Sequence, residues 1–111
     1  MIEPVPSYRY PIPSALGMLA FRGERLEVLG QTRSEYERNN EAALSVIRGL
    51  KNIEGVSVFD TSRVLCGASN CALTQNGVAL YFDQHHLSLV GARLVANAIR
   101  ADFLRQPNVP R

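Results

Sequence analysis

No segment of this chain is long and apolar enough to span a membrane. The longest uninterrupted apolar run, residues 15–21, has seven residues counting Gly17, whereas a transmembrane helix needs about 20. Residues 1–4 also lack the basic stretch and apolar core with which a secretory signal begins. We therefore expect neither a transmembrane helix nor a signal peptide in this chain.

An excess of charge of one sign is also missing. The 12 Lys+Arg oppose 10 Asp+Glu, which leaves a net charge of +2. Nearly all of the basic residues are arginines, and they are scattered along the whole sequence. Nucleic-acid-binding proteins usually collect such charges on one face or one helix. We therefore expect no nucleic-acid partner and interpret the arginines as solvated surface.

Two kinds of catalytic motif are absent. No serine lies in a Gly-x-Ser-x-Gly or Gly-Asp-Ser pattern, which would expose a nucleophile at a sharp turn. Ser69 lies between two cysteines, and Ser88 is in the position of a helix N-cap. A glycine-rich phosphate loop is missing as well. The chain thus offers no recognisable nucleophile or oxyanion hole of its own.

The overall composition of the chain is that of an ordinary globular protein. The chain is 46% hydrophobic and 20% charged, which excludes collagen-like, low-complexity and disordered classes. Its 111 residues allow one domain at most, and a chain of this size buries roughly two-thirds of its unfolded surface. We therefore expect one small folded domain.

The first half of the chain combines an extended segment with helices. Four prolines within ten positions predict that residues 1–13 are extended, because each proline fixes φ and removes a donor. A short helix is expected over residues 14–21, with Ser14 capping its start and Gly23 ending it. A longer amphipathic helix is predicted over residues 34–51, where Ser34 begins a capping box and apolar residues recur at helical spacing.

The second half alternates strand and helix signals. The apolar run 56–59 follows the helix at 34–51 after a tight turn and predicts a strand, which makes the αβ half of a parallel α/β unit. Asn76-Gly77 predicts a turn before a second strand at 78–82. Ser88 then begins a final helix, and residues 106–111 are expected to be a frayed tail.

The loop before the final helix contains a possible catalytic pair, Asp83 and His86. In a Ser-His-Asp hydrolase the imidazole takes the proton of the nucleophile, and the carboxylate orients and stabilises the imidazole. A carboxylate and an imidazole three positions apart in one loop can both face one cleft. The spacing alone is a weak signal, and the alternative is that His85 and His86 are ordinary loop or capping residues.

The pair Cys66 and Cys71 flanks a loop of small residues. A local disulfide between them would imply an oxidising compartment. Two free thiols or a metal site are the alternatives. A structural zinc site normally has four ligands, so a metal site here would also need His85 and His86, and adjacent residues seldom both converge on one ion.

Taken together, these elements resemble the C-terminal part of SGNH domains. The most similar are those fused to the membrane acyltransferase 3 family, which O-acetylate bacterial surface polysaccharides. The resemblance rests on a run of features in one order: a short strand with Asp60, the pair Cys66 and Cys71, Gly77, Tyr81, Asp83-Gln84-His85-His86-Leu87-Ser88, and Gly91-Ala92 opening a helix.

The resemblance implies roles for individual residues and a fold. Asp83 matches the acid of the catalytic site and His86 its general base, while His85 falls on a variable position. Cys66 and Cys71 match the cysteine pair of the family. The implied fold is a three-layer α/β/α sandwich around a parallel sheet, and residues 1–111 would be the C-terminal portion of one SGNH-type domain without its N-terminal strands.

The resemblance also implies a function. The chain would supply the His-Asp part of a Ser-His-Asp site in an O-acyltransferase or esterase of bacterial surface polysaccharide, with the serine block upstream of Met1. Its partners would be an acylated saccharide or acyl donor and a membrane acyltransferase domain. We expect a periplasmic location tethered to the inner membrane, no cofactor and no metal.

Two other functions remain open at the level of sequence. The chain could be a truncated α/β remnant that binds glycan or a partner chain without turnover. It could also be a metal or redox protein that uses its two cysteines with His85 and His86.

Overall fold

The computed structural model describes residues 1–25 and 29–105. Its elements are short and follow one another closely, with five helices in the described residues. In chain order they are α1 (Ile12–Arg22), β1 (Gln31–Thr32), α2 (Arg33–Asn39), α3 (Glu41–Gly49), a 3₁₀ turn (Leu50–Asn52), α4 (Ser62–Leu65), β2 (Asn70–Cys71), β3 (Thr74–Gln75), β4 (Val78–Ala79) and α5 (Leu89–Arg105). None of the helices in these ranges combines the length and hydropathy that a membrane span requires.

The strands do not form the predicted parallel sheet. In the described residues β1 pairs with β2 and β3 pairs with β4, and both pairs are antiparallel. The expected three-layer α/β/α sandwich is therefore wrong for this chain. In the described residues the run 56–59 pairs as a strand with residues 1–3 alone, through a single parallel bridge between Ile2 and Phe59. One bridge gives too few backbone hydrogen bonds to make a sheet.

The predicted turn at Asn76-Gly77 is confirmed. Both residues have positive φ, 51° and 79°, as a tight two-residue turn between antiparallel strands requires. The turn joins β3 to β4 directly. The second predicted strand is correspondingly shorter than residues 78–82, because the chain leaves the hairpin after Ala79.

The long helix predicted over residues 34–51 is divided in two. The capping box exists, but its N-cap is Thr32 rather than Ser34: Thr32 Oγ1 accepts from the Glu35 amide at 3.0 Å, and Glu35 Oε2 accepts from the Thr32 amide at 3.2 Å. The break falls at Asn40, whose side-chain amide donates to the Tyr36 carbonyl at 2.9 Å. Asparagine side chains compete with helical backbone bonds in this way.

Helix α1 begins two residues earlier than predicted. Pro11 is its N-cap, so the extended segment is shorter than residues 1–13 and Ser14 is not the cap. Proline is tolerated in the first turn because its missing amide would have no helical partner there. Gly23 ends the helix in the left-handed conformation, as predicted. The predicted tail at 106–111 lies outside the described residues.

The extended N-terminal segment is fastened to the helical core by polar contacts. The hydroxyls of Tyr36 and Thr61 both donate to the Pro4 carbonyl at 2.6 Å. Glu3 is buried and forms an ion pair with Arg48 at 3.1 Å. These contacts offset the cost of burying polar groups and hold the segment against α2, α3 and the start of α4.

Arg33 joins the start of α2 to the loop between Cys66 and Cys71. Its guanidinium donates to the Gly67 carbonyl at 2.8 Å, to Ser62 Oγ at 2.8 Å, and to the carbonyls of Ser62 and Cys66 at 3.1 Å. Four acceptors around one planar cation form a fixed fork that lysine does not reproduce.

We expect Arg33→Ala to lower the free energy of unfolding by about 2 kcal/mol, because charged hydrogen bonds are lost and partly buried carbonyls lose their donor. Urea unfolding followed by circular dichroism measures the change. Arg38→Ala, on the exposed side of α2, is the matched control and should change the midpoint little. Equal midpoints for the two variants would contradict the role given to Arg33.

Candidate functional site

Hydrogen bonds close the chain between β4 and α5 into a loop. The Phe82 amide donates to the His86 carbonyl at 2.7 Å, and the Ser88 amide donates to the Leu80 carbonyl at 2.9 Å. Ser88 Oγ donates to the Ala79 carbonyl at 2.6 Å. Residues 83–86 therefore form the tip of a closed loop, which we call the 83–86 loop.

The start of α5 packs directly against this loop. Ser88 Oγ accepts from the Gly91 amide at 3.2 Å, which confirms Ser88 as the N-terminal residue that opens the last helix. Gly91 is buried, and a Cβ atom there would collide with the carbonyl oxygen of Leu80. A residue without a side chain is therefore required at this contact.

The N-terminal segment supports the loop from the other side. The Tyr8 amide donates to the Gln84 carbonyl at 2.8 Å, and the Ile12 amide donates to the Asp83 carbonyl at 3.3 Å. The Tyr8 ring also contacts the fully buried ring of Tyr81 edge to face, with centroids 5.1 Å apart. The loop tip is thus held between the proline-rich segment and α5.

Asp83 is the centre of the hydrogen bonding at the tip. Its Oδ1 accepts from the backbone amides of His85 and His86 at 2.9 and 2.8 Å, and its Oδ2 lies 2.8 Å from Nδ1 of His86. The two backbone donors, first His85 and then His86, hold the pKa of the Asp83 carboxyl well below its usual range, and the His86 side chain adds to this effect.

The low pKa has a consequence for acid stability. Because the folded-state pKa of Asp83 is depressed, its stabilising effect is present above the unfolded-state pKa of about 3.9 and is lost as pH falls through the folded-state value. A ¹³C NMR titration of the Asp83 carboxyl carbon tests this. At the pH where Asp83 of the urea-unfolded chain is half protonated, we expect Asp83 of the folded chain to be still ionised. Matching midpoints in the folded and unfolded chains would contradict this.

The imidazole of His86 is held on one side and open on the other. Its side chain is 65% exposed, against 28% for Asp83. An ionised carboxylate only accepts hydrogen bonds, so the network places the proton of a neutral imidazole on Nδ1 and a lone pair on Nε2. Sequence reasoning named these two residues, and the structure brings their side chains together.

The two cysteines are bridged. The sulfur atoms of Cys66 and Cys71 are 2.00 Å apart, and the described residues contain no free cysteine. The predicted disulfide is therefore confirmed. Bridged sulfurs offer no thiolate to a metal, so the structure does not support the metal or redox alternative that combined these cysteines with His85 and His86.

Comparison with protein families adds a finding that covers nearly the whole chain. The family model that matches residues 1–101 is described as "SGNH domain (fused to AT3 domains)". This chain belongs to that SGNH family. No curated protein matches the chain, and no solved structure matches it. Members of the family occur with AT3 domains, which makes this SGNH domain one associated with AT3 acyltransferases.

No serine hydroxyl of the described residues forms a hydrogen bond with the His86 ring. Within residues 1–25 and 29–105, the hydrogen bonds of serine hydroxyls join Ser62 to Asp60 and Arg33, and Ser88 to the backbone of the closed loop. None of these bonds reaches the His86 ring. The site in the described residues therefore consists of the His86 imidazole and the Asp83 carboxylate that orients it.

Sequence reasoning missed several contributions to the site. Gly91 was noted only as part of a family pattern, and a glycine inside a helical pattern does not by itself indicate a close contact. The ring of His85, to which the family resemblance gave no role, has its centroid 4.2 Å from that of His86. The support from Tyr8 and Ile12 had no sequence signal, because the contacts join segments more than 70 residues apart.

Proposed function

We propose that this SGNH domain supplies the His-Asp part of a Ser-His-Asp site that transfers acyl groups to, or removes them from, bacterial surface polysaccharide. The observation that carries the proposal is the 2.8 Å contact between Asp83 Oδ2 and His86 Nδ1. It leaves Nε2 of an exposed imidazole as the available base. The family match supports the acyl-transfer chemistry at the coarser level of an SGNH domain associated with AT3 domains.

In the proposed reaction His86 acts as general base and then as general acid. Nε2 takes the proton of a serine hydroxyl while the serine oxygen attacks the acyl carbonyl carbon. The tetrahedral intermediate collapses, the bond to the leaving alcohol breaks, and His86 returns the proton to that alcohol. A sugar hydroxyl or water then repeats these steps on the acyl-serine. Asp83 stabilises the imidazolium each time.

The serine would come from a part of the protein outside this chain. In this proposal residues 1–111 are the C-terminal portion of the SGNH domain, and the segment bearing the serine and oxyanion hole precedes them. We propose that the AT3 domain delivers the acyl group and that the reaction takes place on the periplasmic side of a membrane. The disulfide between Cys66 and Cys71 suits such an oxidising compartment.

The Asp83→Asn variant of the complete protein tests the proposal. We expect acyl transfer to fall by about 10⁴-fold, because an asparagine neither stabilises the imidazolium nor fixes its tautomer. The assay follows transfer of a labelled acetyl group to polysaccharide. Asp102→Asn is the matched control, since Asp102 on α5 pairs with Arg63 of α4 and not with an imidazole.

Equal activity of Asp83→Asn and Asp102→Asn would contradict the proposal. That result would favour the alternative function, a domain that binds glycan or a partner chain without turnover.

A further inference from the structure

The 83–86 loop gathers three metal-ligating side chains. A carboxylate oxygen of Asp83 and one ring nitrogen each of His85 and His86 lie within 4.8 Å of one another. The two imidazole rings are side by side, with centroids 4.2 Å apart and planes tilted by 41°. Adjacent residues seldom converge in this way.

The convergence follows from the hydrogen bonds of Asp83. Its Oδ1 accepts from both the His85 and the His86 amide, which curls the backbone tightly around the carboxylate. The two histidine side chains then leave the loop on the same side. Both are exposed, so a hydrated ion has access without any rearrangement of the core.

The donor set selects a class of metal. Two imidazoles and a carboxylate suit Zn²⁺, Cu²⁺ and Ni²⁺, whereas Mg²⁺ and Ca²⁺ prefer oxygen ligands alone. The contact from Asp83 to Nδ1 of His86 is also the arrangement seen behind metal-bound histidines, where a carboxylate accepts from the ring N–H that faces away from the ion. Asp83 therefore fits the site as a ligand or as the group that orients a ligand.

We propose that Asp83, His85 and His86 form a binding site for a divalent transition-metal ion of the Zn²⁺ type, and that the bound ion reversibly blocks the base. The metal site rests on the geometry of these side chains alone. The inhibitory effect rests on the proposed function. Coordination uses a ring-nitrogen lone pair of His86, and the nitrogen that takes the serine proton cannot hold an ion at the same time. No bond other than coordination forms, so a chelator restores the free base.

This proposal gives His85 a role that does not require it to take part in acyl transfer. Removing its ring deletes one ligand and leaves the contact between Asp83 and His86 intact, because Asp83 accepts from the His85 backbone and not from its side chain. The two effects of the loop, proton transfer and metal binding, are therefore separable by mutation.

Isothermal titration of ZnCl₂ into the metal-free chain tests the site. We expect one saturable binding event, weakened about tenfold or more in His85→Ala, since even the loss of an outer-sphere partner costs 10- to 100-fold in metal affinity. Gln84→Ala, in the same loop, should bind as the unmodified chain does. Absence of saturable binding, or equal affinities for His85→Ala and Gln84→Ala, would overturn the proposal.

A second titration tests the inhibition in the complete protein. After removal of metal with a chelator, Zn²⁺ should reduce acyl transfer, and His85→Ala should shift the half-inhibitory concentration upward by the same factor as its affinity. Each rate is compared with the metal-free rate of the same variant. If Zn²⁺ bound the 83–86 loop without slowing acyl transfer, the proposal that the bound ion blocks the base would be overturned.

The outcomes separate the two proposals. If Zn²⁺ binds with dependence on His85 while Asp83→Asn leaves acyl transfer unchanged, the metal site stands and the proposed function fails. If Asp83→Asn abolishes transfer while Zn²⁺ does not bind, the metal site fails and the proposed function stands.

Discussion

Under the proposed function, we expect His86→Ala to lower acyl transfer by the complete protein about a millionfold in kcat, because removal of the histidine causes a loss of that size in Ser-His-Asp sites. Alanine at this position deletes the nitrogen that takes the serine proton and also the group that Asp83 orients. The loss should exceed that of Asp83→Asn, which retains a base in the wrong tautomer. Transfer of labelled acetyl groups to polysaccharide measures both variants.

A matched control separates the chemistry from damage to the loop. Gln84 lies in the same loop, and its contact to Tyr8 uses the backbone carbonyl, so Gln84→Ala should keep the rate within about twofold, as expected of a side chain away from core and caps. If His86→Ala and Gln84→Ala had equal rates, His86 would have no part in catalysis.

Replacing Gly91 with alanine destabilises the fold by about 3 kcal/mol, at the upper end of the cost of overpacking a closed contact. The added Cβ would collide with the carbonyl oxygen of Leu80, which itself accepts from the Ser88 amide at the base of the loop. Backbone atoms shift less easily than the ends of flexible side chains, so α5 must move away from the Leu80 carbonyl. Urea unfolding measures the stability, and NMR signals of the 83–86 loop show whether its closed form persists.

Gly17 provides the control for the same substitution. It lies inside α1, is exposed, and has open space where a Cβ atom would stand. Gly17→Ala should therefore stabilise the chain by about 0.5–1 kcal/mol, because alanine is the better helix former. If both glycine variants changed stability in the same direction, the close approach at Gly91 would not be the cause.

The parts of the structure that sequence predicted are those set by neighbouring residues. The turn at Asn76-Gly77 needs two positive φ angles, and these two residue types tolerate them. Ser88 caps α5 through an amide three residues away. The contact between Asp83 and His86 spans three positions, and the disulfide closes a loop of small residues. Each signal lies within a few residues of the feature it specifies.

The sheet was predicted wrongly because its pairing depends on distant segments. The run 56–59 has the composition of a buried strand, yet its partner is residues 1–3, which supply one bridge. Nothing in either segment specifies the other. The strands that do form, such as β1 with β2, are two residues long, and such short pieces carry almost no periodicity.

The division of the helix at Asn40 has a different cause. The apolar spacing continues across this residue, so periodicity predicts one helix over 34–51. The side-chain amide of Asn40 shares the Tyr36 carbonyl with the Asn40 backbone amide, and propensity alone is too weak a guide to such local competition.

The state of the His86 imidazole is the property on which the proposed chemistry depends most directly, and ¹⁵N NMR of the metal-free chain measures it. In the neutral imidazole of His86, Nδ1 should carry the proton and Nε2 should have none, because the Asp83 carboxylate only accepts hydrogen bonds; Asp83→Asn should abolish that preference. A proton on Nε2 in the unmodified chain, or a tautomer indifferent to Asp83→Asn, would contradict the role of His86 as an oriented base.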